Sequence, residues 1–291
     1  MTALQAFFRV RTLVALGGAA GLAAVGVGVP GTAYAAELAP ASKVKLRELR
    51  YSTALDVTVT VTGGVLWFSS ELLKSSLAPE SCRWCSSTSA ERSVRNALLW
   101  ENSKLADGLS YGTGYALAPL AAYGGVALAG AYDSADRFFA DALIITEATV
   151  LAGDFNQLVK FSVGRERPFV HALPADQKSA TTHPNDNNLS FVSGHTTLAF
   201  ALAASSGTVA SLRGYNWAPG IWATGMALAA TTGYLRIAAD RHYFIDVMTG
   251  AVVGSAFGVG VPLLFHGPVG PGAIQVQPLQ GGAMATYSGA W

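Results

Sequence analysis

The chain has 291 residues, of which 51% are hydrophobic and only 13% charged, with a formal net charge of +1 and a mean hydropathy of +0.35. About a quarter of the residues in an ordinary cytosolic protein are charged, so this composition argues against one and favours a helical body in or beside a membrane. No block of like charge occurs, which excludes a nucleic-acid footprint.

Arg9 and Arg11, the uncharged stretch from Leu13 to Val29, and Ala33-Tyr34-Ala35 before Ala36 have the layout of a cleavable secretory signal over residues 1–35. An uncleaved anchor helix is the alternative. Either way, the residues that follow are expected outside the cytoplasm. Residues 37–54 read as an exposed lead-in. Val57 to Ser70 alternates like a strand, but its surroundings favour a helix. It is too short and threonine-rich to cross a bilayer, so it is expected to lie in the interface or against the bundle. Cys82-Arg83-Trp84-Cys85 holds both cysteines. In an exported chain that spacing favours a tight disulfide, with a redox pair as the alternative; a haem or zinc site would need ligands that are not nearby.

Ser110 to Tyr132 is uncharged and long enough to span a membrane, with small residues that let helices approach closely. A polar break at Asp133, Asp136, Arg137 and Asp141 precedes a helix over Ala142 to Val159, in which Glu147 and Asp154 share a face that lipid would drive inward. After a polar middle from Lys160 to Asn188 come three apolar helical runs, Ser193 to Leu212, Tyr215 to Leu235 and Tyr243 to Phe265. Gly and Pro rise from Gly267 onward, so residues 267–291 read as a tail with at most short strands.

Three segments at the edges of these runs carry chemistry. In Leu235-Arg236 to Ile245-Asp246, His242 and Asp246 are four apart, so on a helix the carboxylate would accept the imidazole Nδ1-H and leave Nε2 free to attack. Arg236 would grip phosphoryl oxygens in a planar fork. Lys160 is followed seven residues later by Arg167-Pro168, and the proline turns the chain so that both cations can face one anion. Ser193-Gly194-His195 opens an apolar helix. Ser193 suits an N-cap, Gly194 allows close approach of an anion to the backbone, and His195 is placed to protonate a leaving group. Each segment alone is as well read as a solvated His/Asp pair, a basic helix end or a capped helix. His171, His183 and Asp186 lie in the polar middle, where exposure to solvent is the ordinary expectation.

Together the segments resemble the type 2 phosphatidic acid phosphatase superfamily, whose pattern is K-x6-R-P, P-S-G-H and S-R-x5-H-x3-D. The charged and histidine positions all fit; Val192 stands where the family often has Pro, and Leu235 where it often has Ser. The resemblance implies an all-α bundle of about six core helices over residues 36–266, membrane-embedded or membrane-associated. It implies His242 as nucleophile, oriented by Asp246, with His195 as proton donor. Lys160, Arg167, Ser193, Gly194 and Arg236 would bind the phosphoryl group, and no cofactor or metal would be needed. The expected activity is hydrolysis of a lipid phosphate or diphosphate at the cell membrane, with the site on the periplasmic or extracellular side. A vanadium-dependent haloperoxidase and a soluble secreted acid phosphatase are the alternatives.

Overall fold

The computed structural model describes residues 46–130, 135–269, 274–279 and 282–287; the expected signal segment, residues 1–35, lies outside them. Ten α-helices follow in order: α1 Thr53–Leu72, α2 Lys74–Leu77, α3 Ser89–Leu98, α4 Ser103–Tyr111, α5 Ala118–Ala129, α6 Ala135–Val163, α7 Pro168–His171, α8 Gly194–Arg213, α9 Ala218–Ala238 and α10 Phe244–Phe265. The fold is all-α, as the sequence predicts. Strands Ile274–Leu279 and Gly282–Tyr287 form an antiparallel hairpin in the tail.

Val57 to Ser70 is helical, inside α1, and packs along α6. Its N-cap Ser52 accepts a hydrogen bond from the Leu55 amide. The expected span from Ser110 to Tyr132 is interrupted by a π-helical segment, Gly112–Leu117, between α4 and α5. Of the polar break expected before Ala142, Asp133 lies outside the described residues and the rest is helical. Asp136, Arg137 and Asp141 all lie in the first turns of α6. Asp141 is buried there, because Arg213 Nε and the Tyr215 hydroxyl donate to its two oxygens at 2.7 Å each. Paired in this way, a carboxylate is tolerated inside a helix that composition alone would end.

Helix α8 is the hub. It is buried along most of its length and packs on α5, α6, α9 and α10. Against α10 the approach is very close, because a Cβ on Gly254 would lie 2.3 Å from the Thr197 carbonyl oxygen and one on Gly258 2.7 Å from that of Ala201. Small residues spaced four apart let two backbones meet in this way. Gly214, at φ 80°, ends α8 in the left-handed region that favours glycine. The bundle's exterior is apolar: Leu66, Phe68, Leu120, Leu128, Val252 and Phe265 are exposed. By length and composition α10 could cross a bilayer.

Candidate active site

The C-terminal end of α6, the first turn of α8 and the turn between α9 and α10 converge on a cavity of about 580 Å³. Its lining includes Lys160, Arg167, Gly194, His195, Arg236 and His242, six residues from all three motifs.

The chain leaves α6 at Gly164, whose φ of 59° again favours glycine, and turns at Pro168. Arg167 is thereby aimed inward. Its Nε donates to the Asp186 carbonyl at 2.7 Å, and its Nη1 lies 3.5 Å from His242 Nε2. Asp186 is drawn towards this side of the site. Burial pushes its carboxyl up, but Arg167, Lys74 and Lys160 outweigh burial and hold it below the usual carboxylate range.

Helix α9 ends at Ala238 and the turn after it contains Asp240, whose φ of 60° is unusual for a residue with a side chain. A fork from Arg95 to both Asp240 oxygens, at 2.5 Å each, braces that turn. Just before it, buried Arg236 donates Nη1 to Asp107 at 2.6 Å and to Ser110 at 3.0 Å. Just after it, Arg241 reaches the other oxygen of Asp107 at 2.7 Å. His242 follows. Its Nδ1 is 2.7 Å from the Ser190 carbonyl oxygen; a carbonyl only accepts, so Nδ1 carries the proton and Nε2 presents its lone pair. Burial, followed by the charges of Arg167, Arg236 and Lys160, holds the imidazole well below its usual pKa, so it stays neutral.

Here the structure corrects the expected orientation of the nucleophile. Asp246 does not accept the His242 N–H; its Oδ2 is 3.9 Å from Nδ1. The four-residue spacing does not put the two on one helix face, because α10 begins at Phe244, with Tyr243 as N-cap. Asp246 instead organises the surroundings. Its Oδ2 accepts from Ser190 Oγ at 2.6 Å and from the Tyr243 amide at 2.9 Å, and its Oδ1 accepts from Arg165 at 2.5 Å. By fixing Ser190, it fixes the carbonyl that holds His242.

Ser193 also departs from expectation. It occupies the N-cap position without a side-chain capping bond, is buried, and pairs its hydroxyl with that of Thr196 at 2.9 Å. It is not among the cavity-lining residues. Gly194 is, and a Cβ there would sit 3.1 Å from Lys160 Nζ, so the glycine lets the ammonium lie close against the backbone. His195, in the same turn, is edge-on to Tyr111 and Tyr115, and its Nε2 is buried without a hydrogen-bond partner.

Cys82 and Cys85 are disulfide-bonded outside the cavity. Their loop is nonetheless close to the site, because Trp84 between them pairs with the backbone of Arg165 and stacks 3.8 Å from its guanidinium. Tyr243 covers the other face at 4.2 Å. Arg165, Ser190, Asp107, Tyr111 and Tyr115 carry no sequence signal of their own. Arg165 lies inside the Lys160 to Arg167 motif, at a position the motif leaves variable. Of the polar-middle residues, His183 and Asp186 line the cavity and His171 does not; it pairs with Glu166 at 3.0 Å.

Residues 141–268 match the family model of the PAP2 superfamily. Over this span, somewhat under half of its length, the chain is similar to that superfamily. The three motifs, and with them the cavity residues Lys160 to His242, all fall inside the matched span. A search among curated proteins finds no match. Among solved structures, the chain is similar to one described as the first transmembrane PAP2 type phosphatidylglycerolphosphate phosphatase from Bacillus subtilis, at 17% identity and a TM-score of 0.43, covering 71% of this chain and 93% of that one.

Proposed function

We propose that this protein is a metal-independent phosphatase of the PAP2 superfamily that hydrolyses a lipid phosphate or diphosphate through a phosphohistidine. The observation that carries the reading is the His242 Nε2 lone pair, held by tautomer and burial in a cavity walled by Lys160, Arg167 and Arg236. In the first step Nε2 attacks phosphorus and the P–O bond to the lipid alcohol breaks. The leaving oxygen takes a proton from His195, which enters this step as an imidazolium balanced by the charge of the bound phosphoryl group and leaves it neutral. In the second, water attacks the phosphohistidine, with His195 taking a proton from it, and inorganic phosphate leaves. The three cations and the first-turn amides of α8 carry the charge that builds on the phosphoryl oxygens.

The lipid class rests on the walls and on the exterior. Trp67 and Phe68 of α1 and Leu198 of α8 line the cavity beside the charged residues, and the bundle's outer face is apolar around α1, α5 and α10. We place the bundle in the membrane, the site opening on the periplasmic or extracellular side. Ser179 is exposed in the segment that covers the site's end of the bundle, so Ser179→Cys should react with an impermeant thiol reagent on intact spheroplasts. Reaction only after lysis reverses the orientation.

The mechanism is tested by separating the two histidines. His242→Ala should lose turnover of every substrate and form no acid-labile phosphoenzyme. His195→Ala should lose on the order of 10²-fold or more with a lipid phosphate, whose alkoxide needs a proton, and much less with a nitrophenyl ester, whose leaving group does not. Equal losses on both substrates, or a phosphoenzyme trapped in His242→Ala, would overturn the roles. Hydrolysis confined to water-soluble phosphomonoesters would favour a soluble-type acid phosphatase. Bromide oxidation with vanadate and peroxide would favour a haloperoxidase.

A further inference from the structure

About 20 Å along α6 from Lys160, at ~1.5 Å per residue, a second group of ionisable side chains is buried away from the cavity. It comprises Asp56 in the first turn of α1, Glu147 in α6 and His266 at the C-cap of α10. None of the three lines the catalytic cavity. His266 Nδ1 lies 3.0 Å from the Arg50 carbonyl oxygen, which can only accept, so Nδ1 carries a proton. The other ring nitrogen, Nε2, faces Glu147 Oε2 at 3.6 Å. Both of these atoms are buried without a hydrogen-bond partner, and their residues are 2% and 6% exposed. Asp56 is anchored by the Ser52 amide, which donates to its Oδ2 at 2.8 Å, and stands 3.9 Å from His266 Nδ1.

We propose that Asp56, Glu147 and His266 bind a divalent transition-metal ion that braces the end of the bundle remote from the active site. A nitrogen and an oxygen sharing a hydrogen bond sit about 2.9 Å apart. Two ligands of a tetrahedral Zn²⁺, each about 2.1 Å from the metal, sit about 3.4 Å apart. The Nε2 to Oε2 separation of 3.6 Å matches the second geometry, with both atoms otherwise unsatisfied. One donor atom from each of the three residues falls within 4.8 Å of the others, so a modest side-chain rotation closes the set. A metal-bound imidazole usually donates its other N–H to a carbonyl or carboxylate; the Arg50 carbonyl occupies that place. A dication also neutralises two buried carboxylates while leaving the imidazole neutral, and one imidazole with two carboxylates is a donor set suited to Zn²⁺ or Mn²⁺. The ion would tie α1, α6 and α10 together where the chain segment at Arg50 pairs with Gly267 and Leu49 with Pro268.

The test uses untagged full-length protein in mild detergent, stripped with a chelator and titrated with Zn²⁺ and, as an optical probe, Co²⁺. The wild type should take up about one ion per chain and melt at a higher temperature with Zn²⁺ than without. Glu147→Gln and His266→Ala should each weaken uptake by about 10-fold or more and lose the thermal shift, whereas His242→Ala should keep both. A wild type that takes up no stoichiometric ion and melts identically with Zn²⁺ and with chelator would overturn the proposal and leave an imidazolium shared between carboxylates. Loss of the ion in His242→Ala would also overturn it, by placing the metal in the catalytic cavity. If either cluster variant fails to fold, Asp56→Asn supplies the same comparison, and the wild-type titration stands by itself.

Discussion

Arg165 offers the sharpest test of how the site is held. Its side chain is 0% exposed, with Nη1 at 2.5 Å from Asp246 and Nη2 at 2.7 Å from Glu91, and its guanidinium lies between the Trp84 and Tyr243 rings. Arg165→Met keeps much of the volume and removes the charge, leaving Asp246 buried without its cation. Breaking a buried pair from one side costs about 3–5 kcal/mol, and each lost cation–π contact adds ~0.5–2 kcal/mol, part of which methionine regains by packing on the rings. A net loss of about 4 kcal/mol corresponds to a melting temperature lower by roughly 8–16 °C in a domain of this size. Circular dichroism melts in mild detergent measure it. Adding Asp246→Asn removes the orphaned charge, so the double variant should melt a few degrees above the single one. Both should lose kcat more than they change KM, since Asp246 fixes Ser190 and Ser190 fixes the His242 tautomer. A single variant within about 3 °C of wild type, or a double variant no more stable than the single, would refute the argument that Asp246 depends on Arg165.

Three further outcomes are expected. Gly254→Ala should destabilise the bundle by about 1–3 kcal/mol, because its Cβ would fall 2.3 Å from the Thr197 carbonyl oxygen; Gly260→Ala, with nothing within 4 Å, should be neutral or stabilise by up to about 1 kcal/mol in the same melts. His242 is held well below its usual pKa in the folded state. As pH falls below the unfolded value near 6.5, the unfolded chain takes up a proton that the folded one refuses, and stability declines by up to about 2 kcal/mol between pH 6.5 and 5. His242→Asn should flatten that slope, and an unchanged slope would count against a neutral buried imidazole. Cys82→Ser with Cys85→Ser should cost roughly 2 kcal/mol or less, as suits a very small ring, and leave turnover within a few-fold. The reason is that Trp84 is also held by backbone bonds to Gly164 and Glu166; loss of nearly all turnover would instead make the loop part of the catalytic scaffold.

The three motifs, through the resemblance they carry, indicated most of the side chains that meet. Lys160, Arg167, Gly194 and His195 flank one polar loop. Arg236 and His242 are separated from them by α8 and α9, two helices of similar length that carry the chain away and back, so that all six sit at or beside helix ends on one level. The apolar runs determined the all-α class for the same reason, since a long stretch of Ala, Gly, Leu and Val without charge can be buried only as helix or placed in lipid. What spacing could not determine was which polar group satisfies which. His242 and Asp246 look like neighbours on one helix face, but the helix starts between them at Phe244, and the histidine finds its acceptor in Ser190, which is 52 residues earlier. Ser193 looks like a phosphate ligand and is turned to Thr196. Arg165 looks like a spacer and holds two carboxylates between two rings. Asp141 looks like a helix break and is stabilised by Arg213 and Tyr215. A buried polar atom must pair with whatever group the packing brings within about 3 Å, and that geometry exists only once the helices have been assembled around α8.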